Sequence, residues 1–231
     1  MVRIAASFIL VLAPLSIGGS AVAQSSIAQP RTAASDARRS ASPALAIAGA
    51  SIGMSPEQIA AALTREGYAR TGQSRDVAWD DLVARTIAET RGLTLPRSGG
   101  VVVVHEYYER GEEQVSVEYA TTSTGQVASQ IRYAVRVGEI GEASFRAAVL
   151  ARYGRPTWAG SWEIVYCSRG ERVCSVADVF GRQLPSLSVH TANVTSRTIT
   201  LREGAAAASA RQRLFRAEIA RRAPQIRRPT F

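Results

Sequence analysis

The sequence contains no lysine and only two histidines and two cysteines. All 28 basic residues are therefore arginine, which the codon usage of a GC-rich genome explains more simply than selection for arginine chemistry. His105 and His190 are too few for a zinc site, which needs three or four ligands at recognisable spacing, even with Glu106 added. A P-loop and a dinucleotide-binding fingerprint are also missing. The sequence predicts no metal and no cofactor.

Positive charge is concentrated at the two ends of the chain. The formal net charge is +9, yet residues 51–203 carry 17 arginines and 17 acidic residues and are neutral. Residues 1–50 carry four arginines against Asp36, and residues 204–231 carry seven against Glu218. A DNA-reading domain places its basic excess on the folded domain itself. We therefore expect no nucleic-acid binding.

The N-terminal segment, residues 1–23, has the order of a secretory signal peptide. Arg3 supplies a positive start, residues 4–17 are an apolar run of 14, and residues 21–23 read Ala-Val-Ala, an A-x-A cleavage pattern. A membrane-spanning helix needs about 20 apolar residues, so we expect this segment to be cleaved. Gln24 follows instead of cysteine, which argues against a lipid anchor. The sequence predicts a bacterial protein that is periplasmic or secreted.

Cys167 and Cys174 are predicted to form a disulfide, because an isolated pair in an oxidising compartment is typically bonded. Residues 162–167 and 173–180 have strand character around a Gly170-Glu171 turn, and that hairpin places the two cysteines opposite each other. Opposed residues lie about 4.5–5.5 Å apart at Cα, within disulfide reach. A redox-active pair is the less favoured alternative, because the spacing is not C-x-x-C.

The helical elements begin after a leader. Residues 24–43 are rich in Ala, Ser and Arg without periodicity, which predicts disorder, and the folded body spans residues 44–203. Ser55, Pro56 and Gln58 form a capping box at the start of a helix that Gly67 ends. A second amphipathic helix is predicted over about residues 76–91, a third over 141–153 and a last one over 205–222, within a basic C-terminal segment, residues 204–231.

The strands follow a period of two from residue 101 onward. We predict strands over residues 101–109, 113–121 and 126–137, and then near 161–167, 173–180, 186–191 and 196–202. The inward residues are predicted to be Val115, Val117, Tyr119 and Thr121 in the second of these strands and Val127, Ile131, Tyr133, Val135 and Val137 in the third. The fold class is α+β, an antiparallel sheet with helices packed on one face. Each half has a helix, a glycine stop and a meander, so residues 44–138 and 139–203 are candidate tandem repeats.

The start of the folded body carries a family resemblance. Residues 52–59 read I-G-M-S-P-E-Q-I, and Leu63 and Gly67-Tyr68 follow. This stretch resembles the opening of small periplasmic modules in the outer-membrane assembly lipoprotein family (BamE/SmpA-like) and of the beta-lactamase-inhibitor-protein-like repeats. The resemblance implies a helix leading into a three- or four-stranded sheet, and protein binding through an open sheet face without catalysis. The chain departs from the lipoprotein pattern in lacking a lipidated cysteine.

The leading binding candidates are aromatic and arginine residues of the predicted sheet. Trp158 and Trp162 flank a flexible Ala-Gly-Ser segment, and Arg132 and Arg136 alternate onto the polar face of their strand. Exposed tryptophan, tyrosine and arginine are the usual anchors of protein interfaces. The alternative is that the tryptophans pack in the core. The sequence favours a non-enzymatic binding module with an envelope protein as partner.

Two further hypotheses stay open. A cell-wall or glycan hydrolase would need two carboxylates about 5–10 Å apart. The carboxylates available around the first hairpin are Glu106, Glu109, Glu112, Glu113 and Glu118. The C-terminal helix could instead contact anionic lipid, although its thin apolar stripe argues for a solvated tail. Its arginines are Arg211, Arg213, Arg216, Arg221 and Arg222.

Overall fold

The computed structural model describes residues 45–94, 99–138, 140–167, 174–175, 177–178, 181–191 and 195–223. The predicted signal peptide, the predicted leader and the predicted turn at residues 170–171 lie outside these ranges. Within them, no helix is both long enough and apolar enough to span a membrane.

Four helices of ten residues or more and one eight-stranded sheet make up the described chain. The helices are α1 (Pro56–Arg65), α2 (Trp79–Arg91), α3 (Glu142–Tyr153) and α4 (Ala205–Arg222). The strands are β1 (Ala69–Val77), β2 (Val101–Arg110), β3 (Glu113–Thr122), β4 (Gly125–Arg136), β5 (Trp158–Ala159), β6 (Glu163–Cys167), β7 (Ser186–His190) and β8 (Ser196–Arg202). All pairs are antiparallel in the order β1-β2-β3-β4-β8-β7-β6-β5, which confirms the α+β class.

Helix α1 begins at the predicted capping box. The backbone N–H of Ser55 donates to the Gln58 side-chain oxygen at 2.9 Å, and the backbone N–H of Gln58 donates to Ser55 Oγ at 3.4 Å. After the helix, Gly67 has a φ of +85°, a left-handed conformation that glycine adopts without strain. Ile59 and Leu63 are fully buried, so α1 is anchored by its apolar stripe on one face of the sheet.

Helices α1 and α3 cover one face of the sheet, and the core lies between them and the strands. Strand register aligns the buried side chains across the sheet: Val117 lies opposite Ile131, Ile131 opposite Leu201, and Leu201 opposite Leu187. Burying one such side chain contributes about 1.5–3 kcal/mol. We call this side of the sheet the covered face.

Strand β1 was not predicted, and helix α2 begins at Trp79 instead of near residue 76. The side chains of β1 are mostly exposed, so the strand has no alternating apolar pattern that a sequence could reveal. It forms because it pairs with β2 along most of its length, from Ala69 opposite Glu109 to Val77 opposite Val101. Tertiary pairing, not local propensity, decides this segment.

The predicted strand over residues 173–180 is wrong at the residues of this range that the structure describes. Residues 177 and 178 lie in a helical turn that Ser175 caps: its Oγ accepts from the Asp178 backbone N–H at 3.2 Å, and its own backbone N–H donates to Asp178 Oδ2 at 2.9 Å. Strand β6 pairs with β5 on one side and β7 on the other, so no edge is left for the predicted hairpin partner. The disulfide itself is confirmed, with Cys167 and Cys174 5.9 Å apart at Cα.

A β-bulge corrects the predicted inward face of β4. Tyr119 pairs with Ala128 while Glu118 pairs with Gln130, so Ser129 is the extra residue. The bulge reverses the alternation before it, and Ala128 is buried where the sequence pattern placed Val127. A single inserted residue moves side chains to the opposite face, and the binary pattern alone does not locate it.

Helix α4 packs on α2 and is not a solvated tail. The rings of Trp79 and Phe215 meet edge to face with centroids 5.2 Å apart, and Ile219 and Ala223 pack beside them. Arg222 Nη2 also lies 2.7 Å from Asp80 Oδ1. These residues form a second apolar cluster, separate from the main core.

Candidate functional site

The face of the sheet opposite α1 and α3 presents three cross-strand rows of mainly polar residues, and we call it the open face. The rows follow from the register, because residues opposite an outward residue also point outward. The middle row is Tyr107, Ser116, Arg132, Thr200, Ser188, Val165 and Trp158. The two flanking rows are Glu109, Gln114, Ala134, Thr198, His190 and Glu163, and His105, Glu118, Gln130, Arg202, Ser186 and Cys167.

Two adjacent grooves occupy the open face. The Tyr107 groove has a volume of about 670 Å³, and its polar lining includes Tyr107, Glu109, Glu112, Ser116, Arg132 and Arg136. The Trp162 groove has a volume of about 540 Å³ and is lined by Gln130, Arg132, Trp162, His190, Thr198, Thr200 and Arg202. Every lining residue of both grooves belongs to a strand or to a loop between strands, so the four helices leave these grooves open.

Arg132 lies where the two grooves meet, since it lines both. It is exposed, and among the described residues no carboxylate pairs with it. Its neighbours differ: Arg136 lies 2.9 Å from Glu112 Oε2, and Arg202 Nε donates to the side-chain oxygen of Gln130 at 2.7 Å. The structure therefore brings together the predicted candidates Arg132 and Arg136 and leaves only one of them without an anionic partner.

Two exposed aromatic residues flank Arg132. Trp162 is 68% exposed and lines the Trp162 groove, and Tyr107 is 47% exposed in the other groove. The predicted candidate Trp158 is half-buried and lines neither groove. Its ring lies over Gly160, where an added Cβ would come within 2.6 Å of the ring, so Trp158 has a packing role.

The two grooves differ in charge. The Trp162 groove is lined by two arginines and His190 without a carboxylate, whereas the Tyr107 groove contains Glu109 and Glu112 beside its arginines. His190 Nε2 lies 3.6 Å from Glu163 Oε1, in the same cross-strand row. One sheet face therefore offers a positive groove next to a mixed one.

Glu106, a predicted hydrolase candidate, lies on the covered face instead. It is 1% exposed, and its carboxylate accepts hydrogen bonds from the hydroxyls of Tyr108 at 2.8 Å and Tyr119 at 2.6 Å and from Arg70 at 2.9 Å. Burial, and then the bond to Glu106, raise the pKa values of both tyrosines. Glu106 thus links side chains of β1, β2 and β3 by hydrogen bonds, and it lines neither groove.

Glu113 has a similar environment on the covered face. It accepts a hydrogen bond from the hydroxyl of Tyr68 at 2.6 Å and pairs with Arg110 at 2.7 Å. Burial, followed by the charge of Glu113, raises the pKa of Tyr133 to about 12. The Arg110 guanidinium lies 4.5 Å above the Tyr68 ring, which completes the cluster.

Of the remaining hairpin carboxylates, Glu109 and Glu118 do not form a convergent pair across the open face. Glu109 and Glu118 both point to that face, but Glu118 pairs with His105, four residues from Glu109 along β2. Four residues of strand span about 13 Å, beyond the separation that glycosidases use. Glu112 shares the Tyr107 groove with Glu109 and is paired with Arg136.

One motif was passed over in the sequence prediction. Residues 49–53 read G-A-S-I-G, the G-x-S-x-G spacing of a nucleophile elbow. Ser51 follows a turn closed by a bridge between Ile47 and Ala50, not a strand, and its hydroxyl donates to the Leu45 carbonyl at 3.3 Å. Ile47 and Ala50 belong to the core of the covered face, whereas His105 and His190 lie on the open face, so a catalytic triad is not assembled there.

Strand β8 supplies the groove residues that the sequence prediction missed, namely Thr198, Thr200 and Arg202. The alternation within residues 196–202 could have found them, because Ile199 and Leu201 point to the core. Across the described ranges, no group of three or more His, Cys, Asp or Glu side chains is placed to hold a metal ion.

The arginines of α4 are largely engaged within the fold. Arg211 pairs with Glu203, Arg221 and Arg222 both pair with Glu218, and Arg222 also reaches Asp80. Phe215 and Ile219, two of the large apolar residues of this helix, pack against α2. The residues of α4 that remain available for contact with a lipid surface are therefore mainly Arg213, Leu214 and Arg216, which are exposed.

The open face is thus the described surface that combines grooves, exposed aromatic residues and an arginine without an anionic partner. The chain matches no protein-family model, no curated protein and no solved structure.

Proposed function

We propose that this protein is an exported bacterial binding protein, without enzymatic activity, that holds an envelope protein against the open face of its sheet. One observation carries the proposal: Arg132 lies between two grooves, is flanked by the exposed Tyr107 and Trp162, and has no carboxylate partner in the described chain. Arginine and large aromatic residues are the side chains that contribute most to protein interfaces.

The size of the open face suits a protein partner. Eight strands spaced about 4.8 Å apart span about 34 Å, and strands of six residues are about 20 Å long. The product, about 700 Å², approaches the roughly 800 Å² that each partner contributes to a standard interface. A small-molecule enzyme would need an enclosed pocket with convergent reactive groups, whereas both grooves lie on a sheet face that no helix covers.

The strand order supports a tandem repeat as part of the proposal. Helix α1 with β1–β4 and helix α3 with β5–β8 have the same order, apart from the inserted α2, and they occupy the candidate repeats 44–138 and 139–203. The last strands of the two halves, β4 and β8, pair at the centre of the sheet. This arrangement agrees with the resemblance to modules that bind proteins through an open sheet face.

Export is supported by the disulfide between Cys167 and Cys174, which is compatible with an oxidising compartment. The apolar run over residues 4–17 and the A-x-A pattern are the predicted signal for export.

Site-specific photo-crosslinking tests the binding function in the cells that encode this protein. A photoreactive phenylalanine replaces Ser188 in the middle row of the open face or, as the matched control, the exposed Arg85 on α2.

We expect the Ser188 position to give one defined crosslinked species and the Arg85 position to give none. A second open-face position, Ser116, should capture the same species. Equal capture from Arg85, or capture from neither open-face position, would contradict the proposed function. Fractionation of the same cells checks export, because the mature chain should lack residues 1–23.

A further inference from the structure

The Trp162 groove is built to receive negative charge. We propose that it binds carboxylate side chains of an acidic segment in the partner protein, with Trp162 covering the apolar part of that segment. This inference rests on the proposed function and names the chemistry of the partner. Arg132 and Arg202 supply the charge, and no carboxylate is among the residues that line the groove.

Hydrogen-bond donors in the groove are free for a ligand. Thr200 lies directly opposite Arg132, and Thr198 lies directly opposite His190. Thr198 and Thr200 are only 5% and 6% exposed, and neither side chain makes a hydrogen bond within the described chain. A carboxylate beside Arg132 would accept from the guanidinium and from a threonine hydroxyl. Charge-assisted bonds of this kind are roughly twice as strong as neutral ones.

The anion must come from another molecule. The two ends of this chain are basic, with seven arginines against Glu218 in residues 204–231, so neither end complements a positive groove. Nearby carboxylates are already engaged: Glu118 accepts from Gln130 at 2.9 Å, and Glu163 faces His190. Complementary charge across an interface speeds association and selects the partner, so a positive groove favours an acidic segment.

The neighbouring groove favours a protein over a phosphate polymer or a membrane. Glu109 and Glu112 line the Tyr107 groove, next to the positive one, and would repel a continuous polyanion laid across the face. Residues 51–203 are neutral overall, whereas nucleic-acid binding requires a basic surface. A protein segment can place acidic residues over Arg132 and neutral or basic residues over Glu109.

Nuclear magnetic resonance titration of the mature full-length chain tests this inference. The probe is a hexapeptide of alternating Glu and Tyr, and its isostere carries Gln in place of Glu. We expect the Glu peptide to shift the Trp162 indole N–H and the Arg132 Nε–H signals. The Gln isostere should bind at least about tenfold more weakly, and so should the Glu peptide to the R132Q variant. The R213Q variant, which changes an exposed arginine of α4, should bind like the unchanged chain.

Three outcomes overturn the inference: equal affinity for both peptides, undiminished binding to R132Q, or no shift at about 10 mM peptide, where a millimolar site is occupied. Arg132-dependent binding of phosphatidylglycerol vesicles or of a single-stranded oligonucleotide in preference to the peptide would also reject an acidic protein segment. Thermal unfolding of R132Q and partial rescue by R132K separate lost binding from lost folding. If Ser188 crosslinking persists in R132Q, the open face still binds and only the acidic groove fails; if crosslinking is absent in the unchanged chain, the proposed function fails.

Discussion

The two faces of one sheet use the same residue types for opposite purposes. On the covered face, the carboxylate of Glu106 accepts three hydrogen bonds, and Arg197 donates to the Thr191 carbonyl. On the open face, Arg132 has no carboxylate partner in the described chain, and Trp162 is exposed. A buried charged group must be paired, whereas an unpaired one at the surface stays available to a ligand. The comparison teaches that burial and bonding partners, not residue type, decide whether a charged side chain here stabilises the fold or is available for binding.

Two carboxylates on β2 provide the strongest test of this comparison. Glu106→Ala should lower the free energy of unfolding by about 3 kcal/mol, because it leaves the hydroxyls of Tyr108 and Tyr119 without their acceptor. Glu109→Ala, three residues along the same strand and on the open face, should change it by less than about 0.5 kcal/mol. Chemical denaturation measures both. Equal losses would mean that the two faces do not differ in this way.

The disulfide ranks next in expected effect. Replacing both Cys167 and Cys174 with alanine should cost about 2 kcal/mol, because the bond closes a loop of about eight residues. Thermal unfolding with and without a reductant measures the loss, and the double variant should show no further response to reductant. Cys167 ends the row that contains Arg202, so peptide binding in the Trp162 groove should weaken together with stability. A reductant-insensitive native chain would contradict the pairing.

The α2–α4 cluster is a third region, separate from both faces of the sheet. Substitutions there test whether its packing stabilises the helix pair without affecting the open face. Phe215→Ala should destabilise the helix pair by about 2 kcal/mol, because Phe215 is half-buried against Trp79. Its exposed neighbour supplies the control, and Leu214→Ala should cost less than about 0.5 kcal/mol. Amide hydrogen exchange of α4 reports the difference. Signals of Arg132 and Trp162 should not move in either variant, and a shift there would link α4 to the grooves.

The smallest expected effect is the loss of helix stability in α4 when Glu218 is protonated at low pH. Hydrogen bonds from Arg221 and then Arg222 lower the pKa of Glu218 from 4.5 to about 2. The unfolded chain therefore takes up this proton first as the pH falls. The contribution of Glu218 to α4 is complete above about pH 4.5 and is lost as the pH falls towards 2. Carbon NMR titration of the Glu218 carboxyl should show this, and Glu218→Gln should remove the matching change in α4 helicity. A titration midpoint near 4.5 would contradict the pairing.

The sequence was sufficient wherever local chemistry decides the structure. The capping box at Ser55 fixes the start of α1, and alternation in residues 113–121 identifies Val115, Val117 and Tyr119 as core. It was insufficient where pairing decides. Strand β1 has no apolar alternation, and the bulge at Ser129 has no residue type that marks it.

The candidate site was predicted in parts and not as a whole. Arg132 and Arg136 were expected on the polar face, whereas Trp162 was left open between exposure and core packing, and all three line the grooves. These residues come close together because β8 lies between β4 and β7 in the sheet. That strand order is a long-range property, and residue spacing along the chain does not predict it. The prediction also grouped Glu106 with the other carboxylates of the first hairpin, because a sequence does not show that the hydroxyls of Tyr108 and Tyr119 both donate to it.

Separation of binding from stability is the most direct test of the central claim. The double variant R132Q/W162A is assayed for thermal unfolding and for photo-crosslinking from Ser188. Both substituted side chains are exposed, so we predict a melting temperature within about 2 °C of the unchanged chain and loss of the crosslinked species. Crosslinking that persists at full yield, or a large fall in melting temperature, would contradict the account of an open face reserved for binding.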